Sequence, residues 1–167
     1  FPAINWIDSY SLYQDKVDKY LDENIDKNFS KHRRRAIGLL QEESSLLEIV
    51  RLVGRDTLSD GDQLKLDITK SLREDFLQQN AFNDIDTYCS LNKQYKMLDT
   101  ILKFYDAGLK ALEKGAYLKE IEQSPVIDKI ARMKYIAEEN ISNIDSLQEE
   151  IAKEMKSLER GGTEEDA

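Results

Sequence analysis

Apolar residues recur at a spacing of three or four through the middle of the chain, and they predict two helices joined by a short turn. In the first helix, over 39–53, the apolar positions are Leu39, Leu40, Leu46, Leu47, Val50 and Val53. In the second, over 62–77, they are Leu64, Ile68, Leu72 and Phe76. Gly54 follows the first helix and Ser59 precedes the second, as a closing glycine and a capping serine would. We expect an antiparallel hairpin with both stripes buried and an exposed, charged tip over 55–61.

The rest of the chain also shows helical spacing. A short first helix carries Val17, Tyr20 and Leu21, and a later helix carries Leu91, Tyr95, Leu98, Leu102, Tyr105 and Leu109. A brief turn over 117–121, a helix from Ser124-Pro125 to about Ala137, and an amphipathic helix over 141–158 complete the pattern. No segment alternates with a period of two. The predicted fold is therefore all-α: a helical bundle around the central hairpin, with no significant sheet.

Length and composition place these helices in one domain. The chain has 167 residues, of which 40% are hydrophobic and 34% charged, which is typical of a helix-rich protein with solvated faces. We expect an extended lead-in over 1–13, a helical domain over 14–160 and a disordered tail over 161–167. The first residue is not methionine and no signal peptide pattern follows it, so we interpret the chain as an excised domain.

Charge limits the partners that the chain can bind. Its 33 acidic and 24 basic residues give a net charge of -9, which disfavours nucleic acid and anionic membrane surfaces as primary partners. No apolar run approaches the roughly 20 residues of a membrane span, so direct membrane insertion is not expected. A single cysteine, Cys89, excludes an internal disulfide framework and indicates a structural, half-buried thiol.

One dense basic cluster, over 31–35, allows two interpretations. It is either an anion or phosphate site, or the solvated first turns of the hairpin's first helix, paired with acids such as Glu42 and Glu43. The second interpretation is favoured, because the cluster contains no glycine and no interleaved aromatic residue.

The common motifs of catalysis are absent from the sequence. There is no GxxxxGK[ST] phosphate loop, no GxGxxG and no HExxH, and His32 is the only histidine. A metal site of the common multi-histidine kinds is therefore excluded. We expect no catalytic residue, no metal site and no activity in this chain by itself.

Three stretches together resemble one family. FPAINWIDSYSLY over 1–13, LLQEESSLLEIVRLVGRDTLSDGDQLKL over 39–66 and REDFLQQNAFNDIDTYCSLNKQYKML over 73–98 look like the catalytic A subunit of archaeal-type and vacuolar-type rotary ATPases. The resemblance places them in its C-terminal helical domain, after the nucleotide-binding domain. It implies that the phosphate loop, the catalytic glutamate and the magnesium ligands lie upstream of Phe1.

The resemblance also implies a setting for the parent subunit. That subunit would bind ATP or ADP with magnesium and work as an ion-transporting ATPase or ATP synthase, with protons as one possible ion. Its partners would be B subunits, alternating with it in a hexamer, and the central stalk subunits. The complex would hold it on the cytoplasmic side, peripheral to the membrane.

The tip of the hairpin is similar to the acidic helix-loop-helix tip of the β subunit of F-type ATP synthases, which pushes on the central stalk. The implied stalk contacts are Arg55, Asp56, Thr57, Leu58, Ser59 and Asp60. Thr57 and Gly61 stand where that tip tends to carry acids, so a steric lever fits better than purely electrostatic pushing. A polar tip required by any helical hairpin is the plainer alternative.

Two aromatic residues are implied to wall an adenine pocket. Phe1 aligns with a tyrosine that stacks on adenine in the F-type β subunit, and Phe82 aligns with a second aromatic there. Stacking stabilises a bound base by about 1–3 kcal/mol. Both could instead be core residues, and the chain could be a free-standing helical adaptor without nucleotide. A shared surface for Phe82 and the lead-in would favour the first hypothesis.

Overall fold

The computed structural model describes residues 13–79 and 83–160, and it confirms the all-α prediction because these residues contain helices and no strand. The α-helices are α1 (Gln14–Asn24), α2 (Phe29–Val53), α3 (Asp60–Ser71), α4 (Asp84–Thr87), α5 (Leu91–Glu113), α6 (Leu118–Glu122), α7 (Val126–Arg132) and α8 (Ser142–Leu158). The predicted lead-in, apart from Tyr13, and the predicted tail lie outside the described residues.

Helix α5 is the centre of the core. Its buried face presents Met97, Leu98, Ile101, Leu102 and Phe104, and α8 packs along it with Ile144, Ile151 and Met155. Polar contacts align the two helices: Lys96 pairs with Asp145, and Gln148 donates to Thr100 Oγ1 at 2.9 Å. Burial of this apolar surface is the main source of stability.

The predicted hairpin is formed by α2 and α3, which pack side by side and are joined by a 3₁₀ turn over Arg55–Thr57. Leu64 and Ile68 of α3, and Leu72 directly after it, are almost completely buried, as predicted. They face α5, where Gly108 permits close approach, since a Cβ there would lie 2.9 Å from Leu64 Cδ2.

The predicted stripe of α2 is only partly buried. Leu39 and Leu40 belong to the core, whereas Leu47 is 39% exposed and Val53 60% exposed. The prediction of a fully buried stripe is therefore wrong for the outer half of the helix. The ion pairs that join α2 to α1 and α5, at Arg33 and Arg35, both lie in its first half.

Two further helix ends differ from the prediction. The α-helical part of the second hairpin helix ends at Ser71, and a π-helical segment over Leu72–Leu77 follows, in which Phe76 is half-buried. The π segment adds a residue per turn and so rotates Phe76 away from the fully buried face. Helix α7 ends at Arg132 and is separated from α8 by two 3₁₀ turns, over Met133–Tyr135 and Glu138–Asn140.

Candidate functional site

The tip (residues 55–61) is a compact turn fixed by its own hydrogen bonds. Gly54 adopts a φ of 91°, which favours glycine, and its N–H donates to Val50 O at 2.9 Å to end α2. Thr57 Oγ1 donates to Gly54 O at 2.8 Å. Ser59 Oγ accepts from Asp62 N at 3.2 Å and caps α3, as predicted.

Arg55, predicted as a stalk contact, turns back toward the body of the domain. Its Nη2 lies 2.8 Å from Asp67 Oδ2 on α3 and 2.7 Å from Glu122 Oε1 on α6. Its Nε donates to Gln63 Oε1 at 3.4 Å. Burial and the neighbouring Asp67 raise the pKa of Glu122, and the guanidinium of Arg55 opposes that rise.

The remaining charges of the tip face solvent. Asp56 and Asp60 are exposed, and neither forms an ion pair with the residues that the structure describes. Thr57 and Ser59 are exposed as well, and Leu58 is half-buried. Asp56 and Asp60 are therefore the acids of the tip that are free to meet another molecule.

An apolar surface lies beside the tip. It consists of Ile49, Leu52 and Val53 on the last turns of α2, and is called here the outer α2 surface. Leu52 is 83% exposed and Val53 60% exposed. The sequence pattern assigned Val53 to the core, so this surface was missed. The signal that could have found it is Leu52, which lies off the predicted stripe.

The base of the hairpin is held by buried and half-buried polar contacts. Glu43, which is buried, accepts from Thr69 Oγ1 at 2.9 Å and pairs with Arg73. Lys65 pairs with Glu42 at 2.8 Å. These contacts tie α2 to α3 and to the π-helical segment that follows α3.

The π-helical segment precedes Phe82 in the chain and is held in place by Lys134. Lys134 Nζ donates to Glu74 O at 2.9 Å, and the carbonyl of Lys134 accepts from Nζ of the buried Lys93 at 2.8 Å. Phe1 and Phe82 themselves lie outside the described residues, so the predicted adenine pocket stays a prediction.

The basic cluster takes part in structural pairs. Arg33 pairs with Asp18 at 2.6 Å, Arg35 pairs with Asp106, and Arg34 donates to Ser30 O at 3.3 Å. The cluster thus has the paired character that was favoured, but with other acids than Glu42 and Glu43, which pair across the hairpin.

The structure also shows a cleft, one thiol, and what the described residues offer a metal ion or a membrane. A cleft of about 440 Å³ opens between α3, α5 and α6–α7, with Ile68, Ile101 and Ile121 among its walls. Burial raises the pKa of the Cys89 thiol, which disfavours the reactive thiolate. Among the described residues, no group of three or more histidine, cysteine or acidic side chains is placed to hold a metal ion. No described helix is long and apolar enough to cross a membrane.

Comparison with known proteins identifies the family. Residues 18–122 match the sequence model of the C-terminal domain of V and A type ATP synthase. The V-type ATP synthase alpha chain 1 of Clostridium tetani is 56% identical over 163 residues, which are 97% of this chain and 28% of that protein. The V-type ATP synthase alpha chain of Clostridium botulinum strain Hall gives the same figures.

A third relative agrees with these two. The V-type ATP synthase alpha chain of Clostridium perfringens strain SM101 is 55% identical over 158 residues, which are 95% of this chain and 27% of that protein. The chain thus spans little more than a quarter of the length of the curated relatives it matches. Its helical fold, the matched region and these identities show that the chain belongs to the family of C-terminal domains of V- and A-type ATP synthases.

Proposed function

We propose that this chain is the C-terminal helical domain of the catalytic subunit of a rotary, ion-translocating ATP synthase or ATPase. The observation that carries the proposal is 56% identity to V-type ATP synthase alpha chains over 97% of the chain. In the parent subunit the domain would couple nucleotide-driven closure to the central stalk. Catalysis would be carried out by residues outside this chain.

The hairpin has the mechanical properties that such coupling requires. Its base is fixed to the core through Leu64, Ile68 and Leu72, and through the Glu43–Arg73 pair. Its outer end carries exposed acids at Asp56 and Asp60 beside the outer α2 surface. A rigid base and a solvent-facing end suit a lever that pushes on another subunit.

The partner surface that fits this end is apolar with a basic rim. Leu52 and Val53 would contact apolar side chains of the central stalk, and Asp56 and Asp60 would meet basic ones. Because exposed ion pairs contribute only about 0–1 kcal/mol each, the apolar contact should dominate. The tip residues Thr57, Leu58 and Ser59, and Arg55 at the edge, complete the proposed contact.

In the same proposal, Phe1 and Phe82 wall the adenine pocket of the parent subunit. ATP or ADP with magnesium would be held mainly by its nucleotide-binding domain, since this chain contains no phosphate loop. The other partners would be B subunits in an alternating hexamer. The subunit would sit on the cytoplasmic side, peripheral to the membrane.

The lever is tested by two tip variants in the assembled complex. Deletion of residues 55–61 should lower torque and weaken the coupling of hydrolysis to rotation, while nucleotide binding remains. Asp56→Ala combined with Asp60→Ala should leave rotation-coupled hydrolysis largely intact, because contact shape outweighs exposed charge. Single-molecule torque measurements compare the two variants. If the complex with the double alanine variant stalls while the complex with the deletion still rotates, the lever is contradicted.

The adenine pocket is tested separately. Phe82→Ala in the full-length subunit should weaken ATP binding roughly 5- to 150-fold, as loss of one stacking partner implies. Phe82→Tyr, which keeps the ring, should bind ATP as the wild type does. Equal affinities for the alanine variant and the wild type in calorimetry would remove Phe82 from the pocket.

A further inference from the structure

The side chain of Arg55 joins three elements of the domain at one point. It belongs to the 3₁₀ turn of the tip, yet its guanidinium contacts Asp67 of α3 at 2.8 Å and Glu122 of α6 at 2.7 Å. Arg55 and Asp67 are 12 residues apart, and Arg55 and Glu122 are 67 apart. The contact to Glu122 is thus a tertiary link that a hairpin does not need in order to form its turn.

The same guanidinium is connected to the far arm of the turn. Arg55 Nε donates to Gln63 Oε1 at 3.4 Å, and Gln63 Nε2 donates to Leu58 O at 3.1 Å. Leu58 follows the 3₁₀ turn, and Gln63 lies in the first turns of α3. The Arg55–Gln63 pair therefore links the start of the tip to its end.

Arg55 also bridges the cleft between α3 and α6–α7. Asp67 and Glu122 both line this cleft of about 440 Å³, and Arg55 lies with them along its edge. Their side chains are about one-third exposed, so water screens the charges only in part. Movement of the tip away from α6 would break the bridge and widen the cleft at this edge.

The two carboxylates depend on the arginine. Without a cation between them, Asp67 and Glu122 would be like charges held close together, which is unfavourable. A guanidinium offers several donors in a fixed plane and can serve both carboxylates at once, whereas an ammonium group is a single point charge. Arginine is therefore better suited than lysine to this position.

We propose that Arg55 is a positioning residue that clamps the tip of the hairpin onto α6 through Asp67 and Glu122. The clamp sets the angle of the tip relative to the C-terminal helices. The mechanical consequence of the clamp rests on the proposed lever function. In that function, the clamp passes a force applied at the tip directly into α6, and the hairpin does not bend.

The clamp is tested by hydrogen–deuterium exchange of the full-length subunit in the assembled complex. In Arg55→Gln, the amides of the tip should exchange about ten-fold faster, because the link to α6 is lost. Arg51→Gln is the matched control, since Arg51 is an exposed arginine in the last turn of α2. It should leave exchange unchanged. Wild-type protection of the tip in Arg55→Gln would overturn the clamp.

A second variant separates the clamp from a general loss of structure. If Arg55 protects the tip through its contact with Glu122, Glu122→Gln alone should also speed exchange at the tip, and the double variant should exchange no faster than Arg55→Gln alone. Wild-type protection in Glu122→Gln, or additive losses in the double variant, would overturn the clamp. Arg55→Lys should fall between wild type and Arg55→Gln.

Rotation measurements distinguish the clamp from the lever. The proposal predicts that Arg55→Gln lowers torque at least about two-fold while ATP binding is unchanged. Faster exchange together with normal torque would support the clamp and contradict the proposed lever function. Normal exchange would overturn the clamp whatever the torque.

Discussion

Replacement of Ile68 by alanine tests whether the hairpin is anchored through α3. Ile68 is only 1% exposed and belongs to the core cluster with Leu64 and Leu72. Val53 is the matched control, because it belongs to the other hairpin helix but is 60% exposed. The apolar spacing alone predicts that both residues are buried, whereas in the structure only Ile68 is. The two variants therefore test the structure against the prediction from spacing.

The expected magnitudes follow from burial. Ile68→Ala removes three carbons from a fully buried position, a loss of about 2.4 kcal/mol at about 0.8 kcal/mol for each buried methylene. The cavity left behind adds a further loss. We expect a total loss of about 3 kcal/mol in the free energy of unfolding.

Val53→Ala should change stability far less. Burial of about two-fifths of two carbons is worth about 0.6 kcal/mol, and the higher helix propensity of alanine offsets most of it. Urea unfolding of the chain, followed by circular dichroism, gives both values. For a chain of this size, the Ile68→Ala loss corresponds to about 6–12 °C in Tm. Equal losses for the two variants would refute the assignment of the core to α3 and the exposed surface to outer α2.

Two further predictions concern a close helix contact and a carboxylate. Gly108→Ala should destabilise the chain by about 1–3 kcal/mol, because its Cβ would lie 2.9 Å from buried Leu64. The Cβ of Gly38→Ala meets no atom within 4 Å, so this variant should be more stable by up to about 1 kcal/mol. Thermal unfolding compares the stability of the two variants. Hydrogen bonds from Ser30 lower the pKa of Asp22 below its ordinary value of 3.8. The ionised carboxylate therefore stabilises the fold above pH 3.8, and this contribution is lost as the pH falls through the lowered pKa. In urea unfolding at acidic pH, the free energy of unfolding of Asp22→Asn should fall less steeply with pH than that of the wild type.

The helical elements could be predicted from sequence because spacing and caps are local signals. Ser59 and Gly54 bound the tip as expected, and Ile68 and Leu72 are buried as their spacing predicts. The burial of outer α2 could not be predicted in this way. Spacing shows which face of a helix is apolar, but not how far the neighbouring helices extend to cover it.

The ion pairs of the hairpin depend on contacts between distant parts of the chain. Arg55 is 67 residues from Glu122, and Arg73 is 30 residues from Glu43. No local pattern distinguishes these side chains from other exposed charges. For that reason the tip was predicted as a set of outward charges, while Arg55 is in fact turned toward the body of the domain. The adenine-pocket assignment rests on resemblance, since both phenylalanines lie outside the described residues.

Photo-cross-linking from Leu52 is the most direct test of the proposed stalk contact. A photoreactive phenylalanine at Leu52 reports on the outer α2 surface, and one at exposed Ser146 is the control. Ser146 follows Asp145, which pairs with Lys96 near the start of α5, whereas the tip lies beside Leu109 near its end. In the assembled complex, Leu52 should cross-link to a central stalk subunit with a yield that changes with bound nucleotide, and Ser146 should not. Absence of any stalk product from Leu52, with intact hydrolysis, would contradict the proposed contact.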